Sequence, residues 1–293
     1  MNPRVLQQFL ALTDQLHFGR ASNVCHISIS ALSRNIRALE QEMGVTLFNR
    51  DNRSVLLTSE GIKFQQYAKD SIAQWNLIRN ELADKSQALQ GEISMYCSVT
   101  ATYTILFDLL HRFRREHPDI EIKLHTGDHG YALDRIIEGK EEITIAARPA
   151  TLPKGLVFKP VMVSPLLFIG PLEQSDPDVP VTPPTSASDW ANVPMILSEG
   201  GIARKRIDEW FRKMDVRPRI YAQVAGNEAI VSMVSLGLGI GVVPKIVLDN
   251  SPMADRIQVL NVQPDLEPYN IGLFTLKKSL NNPLVNAFWE LLG

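Results

Sequence analysis

A chain of 293 residues, 45% hydrophobic and 21% charged, has the make-up of a globular protein with room for one small module and one larger one. Its net charge of −2 gives no global basic field, so any affinity for nucleic acid must come from a local surface. No apolar run approaches the roughly 18 residues of a membrane span, no export signal is legible at the start, and Cys25 and Cys97 are too few for a disulfide framework. The expectation is a cytoplasmic protein.

In chain order, Phe9, Leu10, Leu12, Leu16 and Phe18 fall on one side of a helical pattern. Past Gly19, a short helix over 20–25 turns Ala21 and Cys25 inward, and Ser28 is placed to cap a third helix over 30–43. That helix buries Leu32, Ile36 and Leu39, while Ser30, Ser33, Arg34, Asn35 and Arg37 occupy its opposite face and early turns. One anchored face and one hydrogen-bonding face are what a base-reading helix requires. Gly44 stops it, and extended runs over 45–48 and 54–57 enclose Arg50 and Arg53 at a hairpin tip, suited to phosphates or the minor groove. Charge alone leaves DNA binding open, since the first 65 residues hold 7 Lys/Arg against 5 Asp/Glu. The order of elements is the more specific signal.

The run His17-Phe18-Gly19-Arg20-Ala21-Ser22, then Ser28-Ile29-Ser30-Ala31-Leu32-Ser33-Arg34-Asn35-Ile36-Arg37-Ala38-Leu39-Glu40, then Gly44-Val45-Thr46-Leu47-Phe48-Asn49-Arg50 and Leu57-Thr58-Ser59-Glu60-Gly61 resembles the signature of LysR-type transcriptional regulators. The resemblance implies a winged helix-turn-helix over 1–58 and a homodimer or tetramer that reads an interrupted palindrome in double-stranded DNA and works with RNA polymerase. It puts Ser33 and Arg34 against bases and Arg50 and Arg53 on the backbone, with Ser28, Ser30 and Arg37 in the same DNA-facing set. Two departures stand out: Ile29 replaces a residue that is often polar, and Cys25 replaces a common leucine.

Residues 59–89 form a proline-free helix in which Phe64, Ala68, Ser71, Trp75, Ile78, Leu82, Lys85 and Leu89 step by four and three, a heptad seam. Such a rod, about 45 Å long at 1.5 Å per residue, needs a partner helix to cover Trp75 and Ile78.

From residue 90 onward, strand and helix patterns alternate: strands over 93–99, 120–124 and 143–147, helices over 104–116 and 132–138, then strands over 194–197, 220–224 and 239–243 around helices over 202–214 and 227–236. The alternation implies parallel sheets with helices on both faces. The fold class is therefore α/β multidomain, and the family resemblance implies a periplasmic-binding-protein-like effector domain over 90–293. Lobe I takes 90–162 and 268–293, lobe II takes 163–267, and a Pro/Asp/Ser-rich surface loop covers 174–185.

Ligands of two-lobed α/β domains sit in the cleft, where strands end and helices begin. Ser98, Thr100, Ala101 and Thr102 put hydroxyls beside helix-opening amides, good equipment for a carboxylate. Ser198, Gly200, Gly201 and Arg204 face them from a second helix start, with Arg148 and Asn227 as further candidates. A lobe rich in hydroxyls with one arginine suits a small hydroxy or keto acid better than a polyphosphate, with no cofactor. The stretches Cys97-Ser98-Val99-Thr100-Ala101, Thr126-Gly127-Asp128 and Glu228-Ala229-Ile230-Val231-Ser232-Met233-Val234 resemble one branch of the family, activators in branched-chain amino-acid synthesis. That likeness implies acetolactate or acetohydroxybutyrate as inducer.

Enzyme motifs are not found: no nucleophile elbow, Walker loop or HExxH. Gly237-Leu238-Gly239-Ile240-Gly241 precedes a strand rather than a helix and reads as a structural turn. His125 and His129 flank Gly127, off helical spacing and unsuited to a metal pair.

Overall fold

The computed structural model describes residues 2–50, 55–82, 89–172, 181, 184 and 186–292. The chain divides into two compact units, Met1–Ala88 and Leu89–Gly293. Arg53, Lys85 and most of the 174–185 loop lie outside the described residues.

The first unit contains α1 (Pro3–Gln15), α2 (Phe18–Val24), α3 (Ile29–Met43), a hairpin of β1 (Phe48–Arg50) and β2 (Val55–Leu57), and α4 (Ser59–Leu82). Local chemistry sets its boundaries. Asn2 accepts the Arg4 amide at 2.9 Å to open α1, and Leu16 closes it in the left-handed region at φ 44°. His17 Nδ1 accepts the Gly19 and Arg20 amides to open α2. Ser28 caps α3 and Gly44, at φ 67°, ends it. The helical faces then close on one core in which Phe9, Leu12, Leu32, Ile36, Leu47 and Phe48 are almost wholly buried. Phe9 meets Phe64 of α4 edge to face at 4.9 Å and Phe48 of the hairpin at 5.2 Å, so one aromatic joins three elements.

The heptad expectation for α4 is corrected in its first half. Phe64 and Ala68 are buried in the unit's own core, whereas Trp75 and Ile78 are half exposed. Only the distal part of the seam is left for a partner helix.

The second unit has two five-stranded sheets, each mixed rather than wholly parallel as the alternation implied. The first is ordered β4 (Ile120–Thr126), β3 (Gly91–Cys97), β5 (Ile143–Ala147), β12 (Tyr269–Leu276), β6 (Leu156–Ser164). Its β3, β4 and β5 are parallel, and β12 runs antiparallel between β5 and β6. The second is ordered β11 (Ile257–Val259), β7 (Leu166–Pro171), β10 (Ile240–Pro244), β8 (Pro194–Ser198), β9 (Arg219–Val224). There β8, β9 and β10 are parallel, with β7 antiparallel to β10 and β11. The chain crosses between sheets twice, at Pro165 and over 260–268.

Period-2 alternation buries both faces of each sheet. Met95, Ile145 and Leu273 face a core that runs on into Phe168 and Met195 of the other sheet and Trp210 of the helix Gly201–Lys213. Their neighbours Tyr96, Ala146 and Phe274 face α7 (Ala132–Ile137). Ile169, Ile196 and Val243 meet α9 (Asn227–Ser235) and α10 (Lys245–Asp249). A Cβ at Gly241 would lie 2.4 Å from Ile230 of α9, so glycine there lets that helix settle onto β10. The glycine run is thus structural.

Replacing Phe9 by Ala removes the ring shared by α1, α4 and the hairpin. It is expected to destabilise the first unit by about 3–5 kcal/mol, read as an earlier chemical-denaturation midpoint for that unit with the second unit's transition unchanged.

Candidate DNA-reading helix and ligand cavity

On α3 the expected division of faces is realised. Leu32 and Ile36 are fully buried, while Ser28, Ile29, Ser30, Arg34 and Arg37 are exposed and Ser33 is half-buried. Neither Arg34 nor Arg37 has an ion-pair or hydrogen-bond partner among the described residues. Ser28 is committed as the helix cap: its hydroxyl accepts the Ala31 amide and meets the Ser30 hydroxyl at 3.0 Å. Asn35 holds Gln8 of α1 at 2.8 Å and orients α3 rather than facing outward.

Arg50 corrects an expectation. Its guanidinium is 2.5 Å from Glu40 of α3 and 5.2 Å from the centre of the Phe18 ring. Glu40 also accepts the Leu47 and Phe48 amides at 2.9 and 3.1 Å. Arg50 therefore braces the hairpin against α3 and α2 and is not a free phosphate-seeking side chain.

The ligand cavity opens between the two sheets. A helical stretch begins at α5 (Val99–Ala101), continues through a π-helical segment (Thr102–Leu106) and ends with α6 (Phe107–Glu116). It starts five residues before the expected 104, and Ser98 caps it by accepting the Ala101 amide. Thr100, Ala101, Thr104 and Ile105 consequently lie on one face and line the cavity with Ser98. Thr102, on another face, bonds the Ser98 carbonyl and the Cys97 thiol. The second sheet's side contributes Asn227, at the start of α9, together with Pro244, Ile246 and Val247, and Tyr269 comes from β12. The empty space amounts to about 440 Å³, part of it open to solvent.

Two helices arrive there with bare N-termini. Both α8 (Gly201–Lys213) and α9 begin without a side-chain cap, leaving amide donors for other partners. At Gly201, φ is 83° and a Cβ would lie 3.4 Å from Gly130 Cα, so the lobes touch beside His129.

Several polar atoms in this region are buried without a partner among the described residues: both ring nitrogens of His129, Asn227 Oδ1, Tyr269 Oη and Ser198 Oγ. Asn227 is 6% exposed, Tyr269 3% and Ser198 1%. His129 Nδ1 is 3.4 Å from Asp128 Oδ1 but off hydrogen-bond geometry. The Tyr269 hydroxyl faces the Ala203 amide in the same incomplete way. An orphaned buried polar group costs about 1–3 kcal/mol, so such a cluster is rare outside functional sites. Burial pushes the His129 imidazole below its usual range against the pull of Asp128 and Glu228, and drives the Tyr269 hydroxyl well above its own. At neutral pH both are uncharged groups that can donate and accept.

The expected arginines are absent from the cavity. Arg204 is tied to Asp208, the Ser198 carbonyl and Gln223. Arg148 is exposed and stacked on Phe158 at 5.6 Å, while its neighbour Ala147 lines the cavity. Gly200 and Gly201 do not line it either, though Gly201 packs against His129 at its edge. Sequence reading missed His129 and Tyr269. The first stands out in the sequence only as half of a histidine pair unsuited to a metal, and the second sits on a strand that carries no periodic signal of its own. His125 goes elsewhere, 3.0 Å from Glu141. Burial raises the pKa of both Cys25 and Cys97, the reverse of what a thiolate sensor needs.

An exposed polar helix on one unit, and on the other a largely apolar cavity between two lobes with a few unpartnered polar atoms, fit a DNA-binding regulator with a ligand-sensing module. Residues 3–62 match the bacterial regulatory helix-turn-helix protein model of the lysR family, and residues 86–293 match the LysR substrate binding domain. The chain belongs to the LysR family of transcriptional regulators. It is 40% identical over 301 residues to the HTH-type transcriptional activator IlvY of Salmonella typhimurium, covering 100% of this chain and 99% of that one. Full-length OxyR from Pseudomonas aeruginosa shares the fold at TM-score 0.69 and 23% identity, over 98% of this chain and 94% of that one. CbnR, solved with its target DNA, does so at TM-score 0.63 and 20% identity, over 100% and 99%. The protein is a regulator rather than an enzyme, and no described helix is long and apolar enough to cross a membrane.

Two arginines should respond differently to truncation. Arg34→Ala is expected to reduce discrimination between operator and scrambled DNA by roughly 1–3 kcal/mol in gel-shift titrations, with the melting temperature unchanged. Arg50→Ala should lower the melting temperature of the first unit.

His129 sets a pH expectation. Because its folded pKa is depressed, the unfolded state takes up protons first as pH falls below the ordinary 6.5. Stability of the second unit should be fully present above that pH and decline toward the lower folded value. His129→Gln should flatten this slope in pH-dependent thermal melts.

Proposed function

We propose that the protein is a cytoplasmic activator of the acetohydroxyacid isomeroreductase gene in branched-chain amino-acid synthesis, switched by acetolactate or acetohydroxybutyrate. The structural observation that carries this reading is the set of unpartnered polar atoms on Asn227, Tyr269 and His129 around one small cavity. Each of these metabolites carries a carboxylate, a hydroxyl and a keto oxygen on a short aliphatic frame. A ligand hydroxyl would donate to Asn227 Oδ1, and a keto oxygen would accept from Tyr269 or His129. Ile105, Ile145, Val247 and Ile271 give the apolar remainder a lining. The 40% identity to IlvY along the whole chain supports the same reading.

The half-exposed Trp75 and Ile78 of α4 favour self-association as a dimer or tetramer, which would place two α3 helices on an interrupted palindrome, next to RNA polymerase. Ligand between the lobes changes transcription only by binding one lobe arrangement better than the other.

A thermal-shift screen of small 2-hydroxy and 2-keto acids, followed by promoter footprinting, tests this. Acetolactate should raise the melting temperature of the second unit and alter the footprint. Tyr269→Phe should weaken the ligand response by about tenfold, the worth of one buried hydrogen bond, and leave operator affinity intact. No shift and no change in footprint at saturating acetolactate would count against the assignment.

A further inference from the structure

The best-equipped anion seat beside the cavity is already taken. Thr100 lines the cavity and is 3% exposed. Its amide donates to Glu228 Oε1 at 2.9 Å and its hydroxyl donates to the same oxygen at 2.5 Å. Thr100 belongs to the helix that follows β3 of the first sheet, and Glu228 is in the first turn of α9 against the second. The contact therefore fastens one lobe to the other through a carboxylate.

Glu228 is the kind of group a carboxylate ligand would replace. It receives charge-assisted hydrogen bonds at the opening of a helical stretch, where the aligned peptide dipoles favour negative charge. Among the described residues, no lysine or arginine lines the cavity, so an incoming carboxylate finds no competing cationic seat. Asn227 and Tyr269, each more than nine-tenths buried, hold unpartnered atoms on the same cavity. The site is thus satisfied where an anion belongs and unsatisfied where neutral polar groups belong.

We propose that Glu228 is a built-in competitor, holding the Thr100 seat in the unliganded protein and yielding it only to a carboxylate that also partners the orphaned groups. This rests on the reading of the cavity as a carboxylate-inducer site. A ligand with a carboxylate alone exchanges one oxyanion for another and gains little. A ligand whose carboxylate is joined to a hydroxyl and a keto oxygen makes the same exchange and also partners Asn227, Tyr269 and His129. Selectivity against the simple carboxylates of the cell follows from that difference. Expelling Glu228 also unfastens the lobes, which couples ligand identity to lobe geometry.

Calorimetric titration of the full chain tests this with three probes: acetolactate, acetate as a carboxylate alone, and acetoin as the same frame without a carboxylate. Glu228→Ala should bind acetolactate about tenfold more tightly, the scale of one lost charge-assisted competitor. It should also acquire measurable acetate binding and leave acetoin unchanged. Glu228→Gln keeps the shape and an acceptor for Thr100; it should shift in the same direction by less, and guards against misfolding in the alanine variant. The proposal is overturned if folded variants bind acetolactate no better than the parent, or if acetoin gains as much as acetolactate. If the parent and both variants, all folded, bind neither acetolactate nor acetoin, the inducer reading itself fails and the competitor role falls with it.

Discussion

Helices expose amides at their first turn, and in the sensing module several of these turns are brought to the seam between two sheets. Burial there strips the amides, and the side chains around them, of water, so each must find a partner in the chain or in a ligand. Ser98 answers for Ala101, and Glu228 answers for Thr100. Asn227, Tyr269 and His129 are left unanswered. The cavity's chemistry is the remainder of that accounting: uncharged, hydrogen-bonding, and small.

The same constraint explains why arginine type alone misleads. Arg34 and Arg50 both come from the DNA-reading module, yet one projects freely and the other is fixed between Glu40 and Phe18. Glu40 has two hairpin amides to satisfy, and the guanidinium neutralises the charge it brings to a half-buried position. Arg204 is likewise absorbed by Asp208, Gln223 and a carbonyl. A guanidinium near a carboxylate satisfies its neighbours before it serves a ligand, and only coordinates reveal the neighbour.

The two units also divide their work by how much of each is finished. The sensing module closes its core across both sheets, with Phe168, Trp190, Trp210 and Phe211 in one aromatic cluster. The first unit closes around Phe9 but keeps Trp75 and Ile78 of α4 exposed. A helix with a buried proximal face and an apolar distal face is suited to joining chains while holding its own reading head rigid.

Periodicity by itself determined the DNA-reading module: the 3.6-residue spacing of Leu32, Ile36 and Leu39 fixes which face of α3 is wet, and Ser28 and Gly44 fix its ends, all through interactions within a few residues. It also located Ser98, Thr100 and Asn227, because helix starts are written locally. Tertiary structure alone decided the rest. The strands β6, β7, β11 and β12 pair antiparallel with distant partners and escaped the alternating pattern, so the mixed sheets and the place of Tyr269 on the cavity were not legible. That Glu228 fills the seat of Thr100, 128 residues away along the chain, depends on two sheets meeting. Short-range patterns encode which face is dry; which charge meets which amide is set by chain crossings that no local spacing records.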